Sequence, residues 1–92
     1  MTAYVIVELE PKNPEKMAEY SALAAPLVAA YGGEFIAKGP AEILTGELGK
    51  PVKVLISFPS KEKAKAWYNS DDYQAIVPTR DAGMDSNFTL IG

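Results

Sequence analysis

Phe58-Pro59-Ser60-Lys61-Glu62-Lys63-Ala64-Lys65-Ala66-Trp67-Tyr68-Asn69-Ser70-Asp71-Asp72-Tyr73 is the stretch that decides the fold. It joins the end of an apolar strand to a helix start. Ser60 caps a helix carrying Ala64, Trp67 and Tyr68. Ser70 caps another, short helix, with Asp71 and Asp72 in its first turn, where the helix dipole favours anions. The same stretch gathers the only tryptophan and two tyrosines. Amphipathic aromatics of this kind line pockets and subunit interfaces, and they also fill cores.

Upstream of this corner, Val52–Phe58 is a strand with Val52, Val54, Ile56 and Phe58 on one face and Lys53, Leu55 and Ser57 on the other. The β-branched and aromatic run of Ala3–Glu10 predicts a first strand, which Pro11 ends. Asn13 caps a helix with Pro14 at its first position and Glu15 in its first turn. Met17, Tyr20, Leu23, Ala24, Leu27, Val28 and Tyr31 recur at three- and four-residue steps and make one apolar stripe. Pro26 removes the bond to the Ala22 carbonyl and predicts a bend, not two helices. Gly32-Gly33 stops the helix. Glu34–Lys38 and Glu42–Thr45 read as two pieces of strand, with Gly39-Pro40 as a bulge or bend between them. Gly46–Pro51 is turn-rich. Pro78 and Gly83 punctuate the way to a last strand, Asn87–Ile91. The order β-α-β-β-α-β gives an α+β chain of ferredoxin-like type, with a four-stranded antiparallel sheet and both main helices on one face.

Ninety-two residues predict a single domain over 1–92. Without cysteine there is no disulfide, thiolate metal site or cysteine nucleophile. Without histidine, the commonest general base, zinc ligand and haem ligand are also missing. Neither a cofactor nor a metal is expected from these residues. Chemistry falls to carboxylates, tyrosines, lysines and Arg80, or to a bound cofactor. A net charge of −3 disfavours nucleic acid as a partner. The first residues have no basic n-region, and no apolar run approaches the roughly 20 residues of a membrane span, so a soluble, cytoplasmic protein is the default.

The strand faces carry a second message. If Val5, Val7 and Leu9 face the helices, the open face of the sheet holds Tyr4, Ile6, Ile36 and Leu55 among its charges. A sheet that faces only water is more polar than this. Two copies packed sheet to sheet about a two-fold axis would cover it, and a homodimer through the sheet faces is the expected assembly.

Several pieces together resemble a known family: Ala3-Tyr4, Asn13-Pro14 followed by Tyr20, Tyr31-Gly32-Gly33, Phe58-Pro59-Ser60, Ala66-Trp67-Tyr68-Asn69-Ser70 with Tyr73, and Arg80. Over nearly its full length the chain resembles the domain-of-unknown-function family numbered thirteen-thirty, in the dimeric α+β barrel superfamily. The resemblance implies a ferredoxin-like protomer whose sheet forms half of a barrel closed by a second subunit. It implies no activity, because the family has none assigned. The family often has a double glycine after the second strand, where this chain has Gly39-Pro40. The wider superfamily includes cofactor-free quinone-forming monooxygenases, lactone isomerases and haem-dependent enzymes. Likeness to these is one of fold alone.

Arg80, the only arginine, suits an anionic ligand, and equally an ion pair with Asp81, Asp85 or a partner's acid. Tyr4, Tyr20, Trp67, Tyr68 and Tyr73 are candidates to surround an apolar cleft with hydroxyls and an indole N–H as polar handles, or else to pack a core. Glu8 and Glu42 become general bases only in a dry site that raises their pKa. Glu8 has Lys53 as a candidate partner, which makes it a structural salt bridge instead. Asp71-Asp72 compensates a helix dipole and is not a metal pair, and Lys61, Lys63 and Lys65 form a solvated helix face. Two functions stand side by side. One is a pocket binding, or acting on, a small aromatic or anionic metabolite, with Glu8 or a tyrosine as base and Arg80 on the developing anion. The other is a non-catalytic dimeric stress or regulatory module without a ligand.

Overall fold

A computed structural model describes residues 2–92. Its elements run β1 (Ala3–Pro11), α1 (Pro14–Ala30), β2 (Glu34–Pro40), β3 (Val52–Phe58), α2 (Lys61–Asn69), α3 (Asp71–Gly83) and β4 (Met84–Ile91). The strands form one antiparallel sheet in the order β2-β3-β1-β4. The sequence order is βαββαβ, with its second helical segment divided at Ser70 into α2 and α3. This is the α+β, ferredoxin-like protomer that the sequence predicts. No helix among the described residues is long and apolar enough to cross a membrane.

Alternation along β1 sorts the side chains. Ala3, Val5, Val7 and Leu9 are buried, while Tyr4, Ile6 and Glu8 between them are only partly covered. Directly opposed residues share a face, so the register of Val5 with Ile56 and of Val7 with Val54 puts the apolar sides of β1 and β3 on one core. Tyr20, Ala24 and Val28 of α1, Ala64 and Trp67 of α2, and Tyr73 of α3 close that core from above. Burying each large side chain contributes roughly 1.5–3 kcal/mol. Leu23 belongs to the apolar stripe by spacing, yet it is nearly half exposed, so the buried seam of α1 is narrower than its apolar stripe.

The caps form as read. The Asn13 side chain accepts from the backbone N–H groups of Glu15 and Lys16, Ser60 Oγ accepts from Lys63, and Ser70 Oγ accepts from Tyr73. α1 runs through Pro26 as one helix. It stops where Gly32 takes a left-handed φ of 78°, and the N–H groups of Gly32 and Gly33 return to the carbonyls of Ala29 and Val28.

Four boundaries depart from expectation. Glu42–Thr45 is not a strand: β2 and β3 pair only as far as Pro40 with Val52, and the chain between them is loop. Gly39-Pro40 is not the bulge. Both residues sit in the ladder, because β2 is an edge strand on which a proline forfeits nothing. The irregularity falls between Phe35 and Ala37. Finally, α3 continues through Pro78 to Gly83, and β4 begins at once with Met84, three residues earlier than the sequence suggests.

Gly83 shows why the helix extends so far. Its carbonyl accepts from the N–H groups of Lys12 and Asn13 at 2.8 and 3.0 Å, tying the end of α3 to the start of α1. A Cβ at this position would lie 2.8 Å from the Met17 backbone nitrogen. Gly83→Ala should therefore force α1 and α3 apart and lower stability by about 1–3 kcal/mol, offset in part by alanine's better helix propensity. Chemical denaturation measures it. Gly39→Ala, which meets nothing within 4 Å, serves as the near-neutral control.

Candidate functional site

α2 and α3 bring three aromatics and the arginine together. Trp67, 1% exposed, lies 5.2 Å from Phe58, 5.8 Å from Tyr68 and 4.5 Å from Tyr73 between ring centroids. Its indole N–H is buried with no hydrogen-bond partner. Tyr73 is 0% exposed, and its hydroxyl meets that of Tyr20 on α1 at 2.6 Å. Arg80, two turns along α3, donates from one terminal nitrogen to the hydroxyls of Tyr68 at 3.1 Å and Tyr73 at 3.2 Å. Its guanidinium carbon stands 4.8 Å from the centre of the Phe88 ring. Its Nε donates to the exposed Asp81 at 3.2 Å.

Counting hydrogens gives this chain a direction. Each tyrosine hydroxyl has one hydrogen to donate. Tyr73 accepts from a cation, which polarises its own O–H as a donor, and Tyr20 is the acceptor within reach. The Tyr20 hydrogen is then left over. In this arrangement, one of the two that the 2.6 Å contact allows, donation runs Arg80 to Tyr73 to Tyr20 and leaves the Tyr20 hydroxyl a hydrogen to give.

Burial governs the protonation of the cluster. Burial pushes the Tyr20 hydroxyl well above the usual phenol range, and the neighbouring Tyr73 adds to the effect. Burial also raises Tyr73, although its bonds with Tyr20 and Arg80 pull part of the way back. For Arg80 burial acts downward, but its hydrogen bonds to Tyr68 and Tyr73 outweigh it and the guanidinium is raised. At neutral pH the cluster is one cation and neutral tyrosines. These are donors and acids, not bases.

Tyr20 and Trp67 also line a cavity of about 270 Å³ between α1 and the sheet. Among Met17, Tyr20 and Val28, α1 presents the small Ser21, Ala24 and Ala25 to this space, which bulkier residues would help to fill. The walls are otherwise aliphatic and aromatic, with Lys38 and Ser21 as the further polar side chains. A pocket that is mostly apolar with a few polar groups is the usual small-molecule site, and this one lies just under the usual lower bound of roughly 300 Å³.

The sequence candidates divide around it. Tyr20 and Trp67 line the cavity. Tyr73 stands behind Tyr20. Tyr68 and Arg80 border a separate, more polar cleft against β1 and β4, which Glu8, Ser86 and Asn87 also line. Tyr4 does not join them: it pairs with Ser57 and Ile91 on the opposite face of the sheet. Glu8 lies on that face too, 2.7 Å from Lys53 Nζ and 2.9 Å from the Asn87 amide. Those hydrogen bonds hold its carboxyl below the usual range, the reverse of what a general base needs. Glu42 lies exposed in the loop. Sequence reading expected a pocket between the helices and the sheet, but it missed Lys38 among the lining residues.

The chain belongs to the family described as Domain of unknown function (DUF1330), which it matches over residues 2–92. No curated protein matches it in sequence. Among solved structures it is similar to a protein of unknown function from Rhodopseudomonas palustris, with a TM-score of 0.78 and 17% identity over 98% of this chain and 80% of that one. It is also similar to a dimeric ferredoxin-like protein of unknown function from Jannaschia sp. CCS1, at 0.75 and 19% over 100% and 99%. A third likeness is to SnoaB, a cofactor-independent oxygenase from Streptomyces nogalater, at 0.69 and 12% over 99% and 91%. At these identities the likeness is one of fold.

The Glu8–Lys53 pair gives a pH prediction. A carboxyl whose folded pKa is lowered adds stability above its ordinary value near 4.5 and loses it as pH falls through the lowered folded value. Lys53→Met should flatten that acid limb by lowering stability modestly near pH 7 while leaving the acid end little changed, as thermal melts across pH would show.

Proposed function

Since its family carries no assigned activity, we propose from the geometry that this protein binds a compact, mainly apolar, aromatic metabolite bearing one oxygen acceptor. The ligand lies in the cavity between α1 and the sheet, and its oxygen accepts from the Tyr20 hydroxyl. The observation that carries this reading is the chain of contacts from Tyr20 on the cavity wall to Tyr73 and on to the largely covered cation of Arg80, which leaves Tyr20 a hydrogen to donate when Tyr73 donates to it. A donor backed in this way holds negative charge on the ligand oxygen better than a solvated hydroxyl does, because it is already oriented in a site with little water. The arrangement therefore favours enolate-like or phenolate-like forms of the ligand. No carboxylate lines this cavity among the described residues, so the protomer supplies the stabilising donor, and the base comes from the ligand, from solvent or from a partner. Cofactor-independent oxygenation, the activity named for the SnoaB structure, is one chemistry that such stabilisation serves.

The reading includes a homodimer through the sheet faces. Tyr4, Ile6 and Leu55 stand on the outer face, and Ile36 and Ile91 are each about half exposed. Two of the similar structures are described as dimeric. Sedimentation should find twice the chain mass for the wild type, and Leu55→Glu, which puts a charge in the middle of that face, should sediment as one chain. A monomeric wild type would contradict the assembly.

Binding can be followed by the fluorescence of Trp67. Naphthol should give a saturable change, and naphthalene should bind about tenfold more weakly, the value of roughly 1.5 kcal/mol for one buried hydrogen bond. Tyr20→Phe should bind the two alike. If naphthol causes no saturable change, the aromatics serve only as core and the ligand-free module stands.

A further inference from the structure

Lys38 is the one charged side chain on the cavity wall, and an irregularity in the backbone puts it there. Along a regular strand, residues three apart point to opposite faces. In β2, however, Phe35 pairs with Ile56 and Lys38 pairs with Val54, so three steps on β2 match two steps on β3. The extra residue turns both Phe35 and Lys38 to the helix-facing side, beside the cavity. Without it Lys38 would face the outside of the sheet. Bulges commonly re-aim a side chain beside a site.

Lys38 is also unengaged. It makes no ion pair or side-chain hydrogen bond among the described residues, unlike Lys12, Lys16 and Lys53, each of which holds a carboxylate. It is exposed on an edge strand, with Phe35 nearby at 48% exposure and Ser21 across from it on α1. The cavity wall thus carries a tyrosine, Tyr20, and an exposed lysine, Lys38. In a chain of net charge −3, a free cation at the rim of an apolar cavity is a local reversal of sign.

Building on the cavity reading above, we infer that the ligand is an aromatic acid, held with its carboxylate against Lys38 at the mouth and its second oxygen against Tyr20 inside. A partly exposed ion pair contributes modestly, so the carboxylate raises affinity about two- to fivefold, and added salt reduces the gain.

The test compares para-hydroxycinnamate with its primary amide, which keeps the ring and the phenol and loses the charge. Titrations use the full chain, wild type and Lys38→Met, with naphthol as the neutral reference. Lys38 is exposed, so the variant should fold, and naphthol affinity checks that it does. The expected result is a two- to fivefold preference for the acid in the wild type, reduced by salt and absent in Lys38→Met, with naphthol unchanged. Equal affinities for acid and amide in the wild type would overturn the inference and leave Lys38 as a guard against edge pairing. Binding of naphthol alone, with neither cinnamoyl compound, would also overturn it while sparing the pocket. Failure of all three to bind would overturn both readings.

Discussion

The arrangement rests on one largely covered cation whose charge is met chiefly by neutral oxygen. Arg80 lies at the junction of α3 with β4, and only its Nε reaches a carboxylate, the exposed Asp81. Its remaining close partners are the hydroxyls of Tyr68 and Tyr73 and the face of Phe88. Withdrawing a charge from water in this way is costly unless its hydrogens find acceptors. The tyrosines supply them and are polarised in return. The constraint then passes along the chain: Tyr73 shares a hydrogen bond with Tyr20, α1 must lie where the two hydroxyls meet, and α3 must run on to Gly83 to hold the start of α1. The helix layer and the candidate site answer to the same cation.

That dependence explains why the cavity is where it is. α1 is positioned by Tyr20 and by the Gly83 carbonyl at its start, and its small residues face the sheet at the turns between. Bulk at Ser21, Ala24 or Ala25 would fill the space and leave the Tyr20 hydroxyl without room for a guest. The bulge in β2 plays the matching part from the other wall, since it alone turns Lys38 inward.

Much of this was legible in the sequence because it depends on short-range rules. Strand faces follow from alternation, caps from Asn13, Ser60 and Ser70, and the aromatic cluster from its spacing around Trp67. What was not legible depends on partners. Ile43 and Thr45 are good strand residues, but β3 has run out of ladder by Val52, so nothing remains for them to pair with. The Gly39-Pro40 pair drew the bulge reading four residues too far along, although an edge strand tolerates proline and the real bulge carries the unremarkable Phe35-Ile36-Ala37. Tyr4 was grouped with the other aromatics by residue type, although its parity with Ile6 and Glu8 already put it on the far face. The run Ser21-Ala22-Leu23-Ala24-Ala25 was the available sign of a cavity, since small residues on a buried helix face leave room for something else.

The central claim is that Tyr20 presents a charge-backed donor inside an apolar cavity. It is tested most directly by the visible spectrum of bound para-nitrophenol, whose phenolate and phenol forms differ in colour. Hydrogen bonding to the charged form favours that form, whereas an apolar wall opposes it. At one fixed pH, the bound dye should be more ionised in the wild type than in Tyr20→Phe. Equal or greater ionisation in Tyr20→Phe would show that the hydroxyl holds no charge on a ligand, and the account would fail there.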